Sequence, residues 1–460
     1  MSFQERDERF WREQEGRLTR QIGQPCCSLA GMGSLLIDMP GNFAVVLHGE
    51  ADCANSFRHT QGPSGTQFYT TRLTQVQFAS GQTAQPLRRC LELLIREKAP
   101  DAVFVLGNCL MEMIHDDFET VAAEVSRRTG TPVVALRTHG LEAGSQAQMV
   151  DWLYSTLASL QAASGTPAGK KAKSLNLIGL PRFHNDDIRL ELEKGLAAAG
   201  LAVNGRYPFD TALKDWLTIG DAEASFVVDR SLFPKLIAKL EALGQDCVEI
   251  PLPIGLGPTQ DLLKAVGGKF SCGAAIEKAL AGDAARARRR LKSFRSRFGG
   301  LRAAVGLRMV NNYMADQLAY DGLGDLPLFL EAGFEVALFI QGPPEEKARE
   351  HFRRRLESLG CRLPFTVFPD PFDLPPLLKA GEFDVAYLAG HARGEARRAG
   401  VPLIPGRSLE PFYAGAVRNL DYLEQVLDEI HQKRSAAALS GERRTAGASE
   451  DGGPSAAVEE

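Results

Sequence analysis

Three of the eight cysteines stand where thiolates could do chemistry. Cys53 comes a few residues after the apolar run at 43–47 and its His-Gly end, and Cys109 directly follows the strand-like segment AVFVLGN. Cys27 lies in GQPCCSLAGMG, a loop bounded by glycine and proline that could reach the same edge. Loops at the carboxyl ends of parallel strands are where open sheets bind ligands and where helix N-termini converge. A thiolate there is partly exposed and stabilised by backbone N–H groups, which suits iron or zinc ligation. There is no Cys-x-x-Cys pair, so a zinc ribbon or a thioredoxin-type site is disfavoured. For any one of these cysteines a buried, inert thiol is the alternative. Cys90 in a helix, Cys247 at the start of an apolar strand and Cys361 after Gly360 read as structural, and Cys272 in GGKFSCGAA reads as a loop residue.

These positions presuppose sheets of parallel strands. Apolar runs predict strands at 43–47, 102–106, 132–136, 175–180, 225–228, 248–252, 303–307, 335–340, 365–368, 385–388 and 402–404. Helical periodicity marks 118–128, with Phe118, Val121, Ala122 and Val125 on one face, and also 188–199, 232–243 and 345–359. Strands alternating with helices of this length imply βαβ units and an α/β fold. The small, polar stretch 162–173 and the charged stretch 282–300 divide the chain into α/β domains at 1–162, 172–290 and 300–432, with a disordered tail expected at 433–460.

Composition excludes some function classes. Lys plus Arg is 53 and Asp plus Glu is 57, a net charge of -4, so there is no global electrostatic footprint for nucleic acid or an anionic membrane. No apolar run is long enough to span a bilayer, and the charged N-terminus has no apolar signal segment, so a cytoplasmic location is expected. The basic run Arg286, Arg288, Arg289, Arg290, Lys292, Arg295 and Arg297 reads as a solvated helix face, with a docking surface for an acidic partner as the alternative. GMG at 31–33 and GLG at 255–257 fall short of a full nucleotide-binding fingerprint and read as turns or helix starts.

The segment CSLAGMGSLLIDMPGNFAVVLHGEADC resembles the N-terminal region of nitrogenase component 1 subunits, with Cys27, Gly31, His48, Gly49 and Cys53 in the matching places. VLGNCLMEMIHDDFETVAAEV resembles the third cysteine region of that family, with Cys109 followed by Ile114, His115, Asp116 and Asp117; His115 stands where the family usually has glycine. The resemblance implies three Rossmann-like domains with parallel sheets flanked by helices. It also implies that Cys27, Cys53 and Cys109 ligate an iron–sulfur cluster shared with a sister subunit, either an 8Fe–7S P-cluster-like centre or a 4Fe–4S cluster. Cys26 competes with Cys27 for the first place. His48 is either a residue supporting the ligands or a structural histidine.

In α-like subunits of the family a cysteine follows a mid-chain strand and a histidine lies late in the chain. Here the strand reads ASFVVDRSLF, with Asp229 and no cysteine, so a β-like electron-relay subunit is expected; Cys272 with His391 is the arrangement that would overturn this. The implied partners are an α-like sister subunit in an α2β2 heterotetramer, an ATP-dependent 4Fe–4S reductase dimer and a small-molecule substrate. LRTHGLEAGSQAQMVDWLYSTLASL resembles the methylthio-alkane reductases, which implies reductive C–S cleavage to methanethiol and a hydrocarbon. The alternatives are a dark-operative (proto)chlorophyllide reductase, a cofactor-assembly scaffold, or a metal-free three-domain binding protein.

Overall fold

A computed structural model describes residues 28–55, 67–138, 146–163, 169–209, 211–308, 312–314, 317–320, 323–341, 346–368, 371–388, 393–405 and 409–447. The strands are β1 (Phe43–His48), β2 (Gln67–Thr70), β3 (Ala102–Gly107), β4 (Val133–Arg137), β5 (Lys171–Ile178), β6 (Ala202–Tyr207), β7 (Ala222–Val228) and β8 (Asp246–Ile250). They continue as β9 (Arg302–Arg308), β10 (Asn312–Met314), β11 (Gln317–Tyr320), β12 (Glu335–Gln341), β13 (Phe365–Phe368) and β14 (Val385–Leu388). Three parallel four-stranded sheets result, ordered β2-β1-β3-β4, β6-β5-β7-β8 and β13-β12-β9-β14, with β10 and β11 forming a separate antiparallel pair. The sheets are flanked by helices, as the α/β reading required.

β1 and β3 are buried along their whole length, because helices cover both faces of a parallel sheet and leave no polar side to the strand. The helix Phe118–Thr129 packs the expected residues Phe118, Val121, Ala122 and Val125 inward. It starts where the Asp117 side chain accepts from Thr120 N–H and ends at Gly130, whose φ of 76° is left-handed.

Four expectations need correction. Residues 402–404 form no strand: Leu403 makes only an isolated bridge to Ala386, and Pro402 and Pro405 remove the donors that would extend a ladder. The stretch 282–300, expected as a boundary, is not an irregular linker: most of it lies in one helix, Gly273–Phe298, between the last strand of the second sheet and the first strand of the third. Its inward stripe of Ile276, Leu280, Ala284, Ala287, Phe294 and Phe298 is masked in the sequence by the surrounding arginines. The basic run is not only a solvated face: Arg290 pairs with Asp421 and Glu424, and Arg297 with Glu424 and Asp428, on the helix Phe412–Gly447. That helix also runs through 433–447, the first part of the expected tail. The edge strands β2 and β6 and the pair β10–β11 were not legible as apolar runs.

Three carboxylates join elements that belong to different sheets. Asp151, on the helix Gln146–Ala163, accepts from Lys235 and Leu236 N–H at the start of the helix Pro234–Ala242, both at 2.9 Å. Glu331 accepts from Leu256 and Gly257 N–H, both at 2.7 Å, at the start of Leu256–Lys269. Glu191 accepts from Tyr413 N–H at 3.0 Å and Ala414 N–H at 2.6 Å at the start of Phe412–Gly447. The first N–H groups of a helix have no partner within it, and its positive end favours an anion.

Burial pushes all three carboxyls up, Glu191 to about 7, because the desolvation cost exceeds what the backbone donors return. With a folded pKa above the unfolded value, Glu191 contributes stability that is complete below the unfolded pKa and is lost as pH rises through about 7. Glu191→Gln should remove that contribution. The difference in unfolding free energy between wild type and variant, measured by denaturant titration from pH 4.5 to 8, should change by on the order of 1 kcal/mol per pH unit within the window.

Candidate cluster-binding site

The strand order of the first sheet runs outward in both directions from the neighbours β1 and β3, so their carboxyl ends border the crevice where such sheets bind ligands. The register pairs His48 with Gly107, and the two chains therefore leave the sheet at the same level. β1 continues through Gly49 into the short helix Ala51–Asn55, which carries Cys53. β3 continues through Asn108 into Cys109–Met113, which begins with Cys109. Both thiols are half-buried.

Asn108 connects the two loops. It is 1% exposed; its Oδ1 accepts from Met111 N–H at 3.1 Å, capping the turn that starts at Cys109. Its Nδ2 donates to Cys53 Sγ at 3.5 Å, and that thiol points its own hydrogen at Glu50 Oε1, 3.6 Å away. Gly49 leaves the room this requires, since a Cβ there would lie 2.5 Å from Asn108 Nδ2. Gly107 does the same for Phe118, whose ring would stand 2.7 Å from an added Cβ.

A buried polar chain lies beneath. His48 is fully buried, with Nδ1 3.2 Å from Thr71 Oγ1 and Nε2 3.2 Å from Asp116 Oδ2. The Thr83 hydroxyl donates to the other Asp116 oxygen. Burial opposes ionisation of Asp116, but the hydrogen bonds from His48 and Thr83 and the charges of His48 and Arg137 outweigh it and hold its carboxyl below the usual range. An ionised Asp116 can only accept, so Nε2 of His48 is the donor in that contact. Arg137 Nη2 also donates to the Asp116 carbonyl at 3.0 Å, while its guanidinium stands 5.3 Å over the Phe118 ring. The Ile-His-Asp-Asp segment thus has three separate tasks. Asp116 anchors His48, Asp117 caps the next helix, and His115 takes the turn between them at φ 51°. That conformation favours glycine, which accounts for the glycine usual at this place in the resembling family; histidine is among the residues that tolerate it.

Cys26, Cys27 and His391 lie outside the described residues; the helix Ser28–Asp38 begins directly after Cys27, with Leu29 and Met32 in the core. Among the described residues no group of three or more His, Cys, Asp and Glu converges to hold a metal ion, so Cys53 and Cys109 form an incomplete set by themselves. Cys272 lies between the helices Leu256–Lys269 and Gly273–Phe298; the first runs back from the carboxyl end of β8, which brings Cys272 toward the amino ends of the strands, and burial pushes its thiol up. At the carboxyl end of β7, Asp229 has φ 53° and is paired with Arg355 at 2.6 Å. The role of Asn108 was missed in the sequence; its one signal is an N-cap residue type immediately before Cys109.

The fold and site describe a class: a three-sheet α/β protein with two cysteines after the strands at the switch point of its first sheet. The family profile described as "Nitrogenase component 1 type Oxidoreductase" matches residues 27–406, and the chain belongs to that family. Among relatives, it is 21% identical over 411 residues to the nitrogenase iron-molybdenum cofactor biosynthesis protein NifE of Rhizobium meliloti, covering 85% of this chain and 82% of that one. It is 35% identical to NifE of Mesorhizobium japonicum over 78 residues, a stretch covering 17% of this chain and 16% of that one. A solved structure titled "Nitrogenase Cp1 at pH 6.5" superposes with a TM-score of 0.66 at 14% identity over 88% of each chain, a likeness of fold. No described helix is long and apolar enough to cross a membrane.

The left-handed turn yields a stability test. His115→Gly should raise the free energy of unfolding by about 1 kcal/mol, and His115→Val should lower it by about 1–2 kcal/mol, as read by thermal or denaturant unfolding.

Proposed function

We propose that this chain is the β-like, electron-relay subunit of a heteromeric reductase of the nitrogenase component 1 type. In this reading it pairs with an α-like sister subunit in an α2β2 assembly and is served by an ATP-dependent reductase dimer. Cys53 and Cys109 hold an iron–sulfur cluster together with Cys27, or with Cys26 in its place, and the sister subunit completes the ligand set. The observation that carries this is the placement of Cys53 and Cys109 side by side at the ends of β1 and β3, linked through Asn108. When bound, such a cluster supplies one-electron transfer at a potential set by its ligands, their hydrogen bonds and burial.

The chain's own residues fit that task. Two half-buried cysteines follow the carboxyl ends of adjacent strands, an amide N–H donates to one sulfur, and His48 at the end of β1 is held by Asp116. Met113 and Ile114, 62% and 42% exposed, follow Cys109 and offer the sister subunit an apolar contact beside the thiols. Asp229, which pairs with Arg355, stands where cofactor-carrying subunits are expected to have a cysteine, and the missing cysteine supports the β-like role.

At the level of substrate, the resemblance of residues 136–160 to the methylthio-alkane reductases supports C–S cleavage in small thioethers. A second reading, a scaffold on which a metal cofactor is assembled, is favoured by the likeness to NifE along most of the chain. The two differ in turnover. The complex, purified anaerobically with its reductase and ATP, should release methanethiol from a small thioether; transfer of a cofactor precursor without turnover would favour the scaffold.

The ligand assignment has its own test. Iron and acid-labile sulfide should be present in the co-expressed wild-type complex. Each of Cys27→Ala, Cys53→Ala and Cys109→Ala should lose most of both while the complex still assembles. Retention of full iron in Cys53→Ala and Cys109→Ala would remove the assignment.

A further inference from the structure

We propose that Asn108 is a positioning residue that tunes the redox potential of the cluster; the proposal rests on the reading of Cys53 and Cys109 as ligands. One buried side chain serves both loops with different atoms. Its carbonyl oxygen caps the turn that presents Cys109, and its amide nitrogen donates to the sulfur of Cys53. The amide occupies the space that a side chain at position 49 would fill, which is what lets it reach the sulfur. A helix cap alone does not require this residue. Serine, threonine or aspartate would accept from Met111 N–H as well, but among these only asparagine adds a fixed N–H donor that reaches Cys53.

An N–H donor withdraws negative charge from a ligating sulfur. The reduced cluster carries one more negative charge than the oxidised one, so the donor stabilises the reduced form and raises the potential. Electron arrival at this edge is then favoured by a group that is not itself a ligand. Because the same side chain orders the Cys109 turn, the spacing of the two sulfurs and the charge on one of them are coupled.

The test uses the co-expressed complex, purified anaerobically. Asn108→Ser keeps a cap oxygen, adds no charge and is too short to reach Cys53. Asn108→Asp keeps the size and the cap but has no N–H to offer. Iron content, thermal midpoint and the cluster's midpoint potential, followed by EPR in a redox titration, are measured for each. Both variants should keep a thermal midpoint near that of wild type and shift the potential to a more negative value, the aspartate variant further because of its charge. Iron loss at an unchanged thermal midpoint would also support the proposal, since the cap is intact in both. If Asn108→Ser does not fold, the aspartate variant decides. Wild-type iron and wild-type potential in the variants would overturn it and leave Asn108 a helix cap only. Iron-free wild-type complex would show instead that the ligand reading has failed, before any change at Asn108 is considered, and the proposal would fall with it.

Discussion

The site depends on the level at which two adjacent strands end. β1 and β3 are hydrogen-bonded in a register that pairs His48 with Gly107, so both chains turn out of the sheet together. A shift of that register would carry Cys53 away from Asn108 and Cys109 and would also turn the buried side chains to the wrong face. Strands buried on both faces have no polar side to fix the register, so the position-specific partners at their ends select it, His48 with Asp116 and Asn108 with Cys53. The glycines at 49 and 107 matter for the same reason, since a side chain at either would displace Asn108 or Phe118.

His48 shows how the packing and the site constrain one another. A fully buried imidazole needs partners at both nitrogens, and it finds them in Thr71 beyond β2 and Asp116 beyond the Cys109 turn. Asp116 is held in turn by Thr83 and Arg137. The carboxyl ends of β1 and β4 and the segments after β2 and β3 are thereby tied together. Elsewhere Asp151, Glu191 and Glu331 perform a comparable task between the sheets, each supplying a buried or half-buried carboxylate to the start of a helix from another part of the chain. Their ionised forms bear a desolvation cost, so the junctions are sensitive to pH while the Asp116 junction favours the anion.

Much of the fold was legible because parallel strands buried on both faces must be continuous apolar runs. The cores of β1, β3, β7, β9, β12 and β14 all declared themselves that way. The edge strands β2 and β6 did not: β6, AVNGRY, is half-exposed and carries glycine and asparagine. The long helix Gly273–Phe298 was obscured because its charged residues outnumber the apolar stripe that holds it, and only the acidic helix beside it explains Arg290 and Arg297. In the site, the cysteines were legible from their position after strands. Asn108 was not, because a residue adjacent to one cysteine gives no sign that its amide reaches another more than fifty positions earlier.

By itself, the order of residues determined the alternation of strands and helices, the α/β class, the family, and the thiols at strand ends. These follow from local patterning, since burial on two faces and the turn after a strand are properties of short segments. Tertiary structure alone decided the strand order, the pairing of His48 with Asp116, the bridge from Asn108 to Cys53, and the ion pair that Asp229 makes with Arg355. Each joins segments distant along the chain, and such contacts are selected by which buried polar groups can satisfy one another once the sheets have formed.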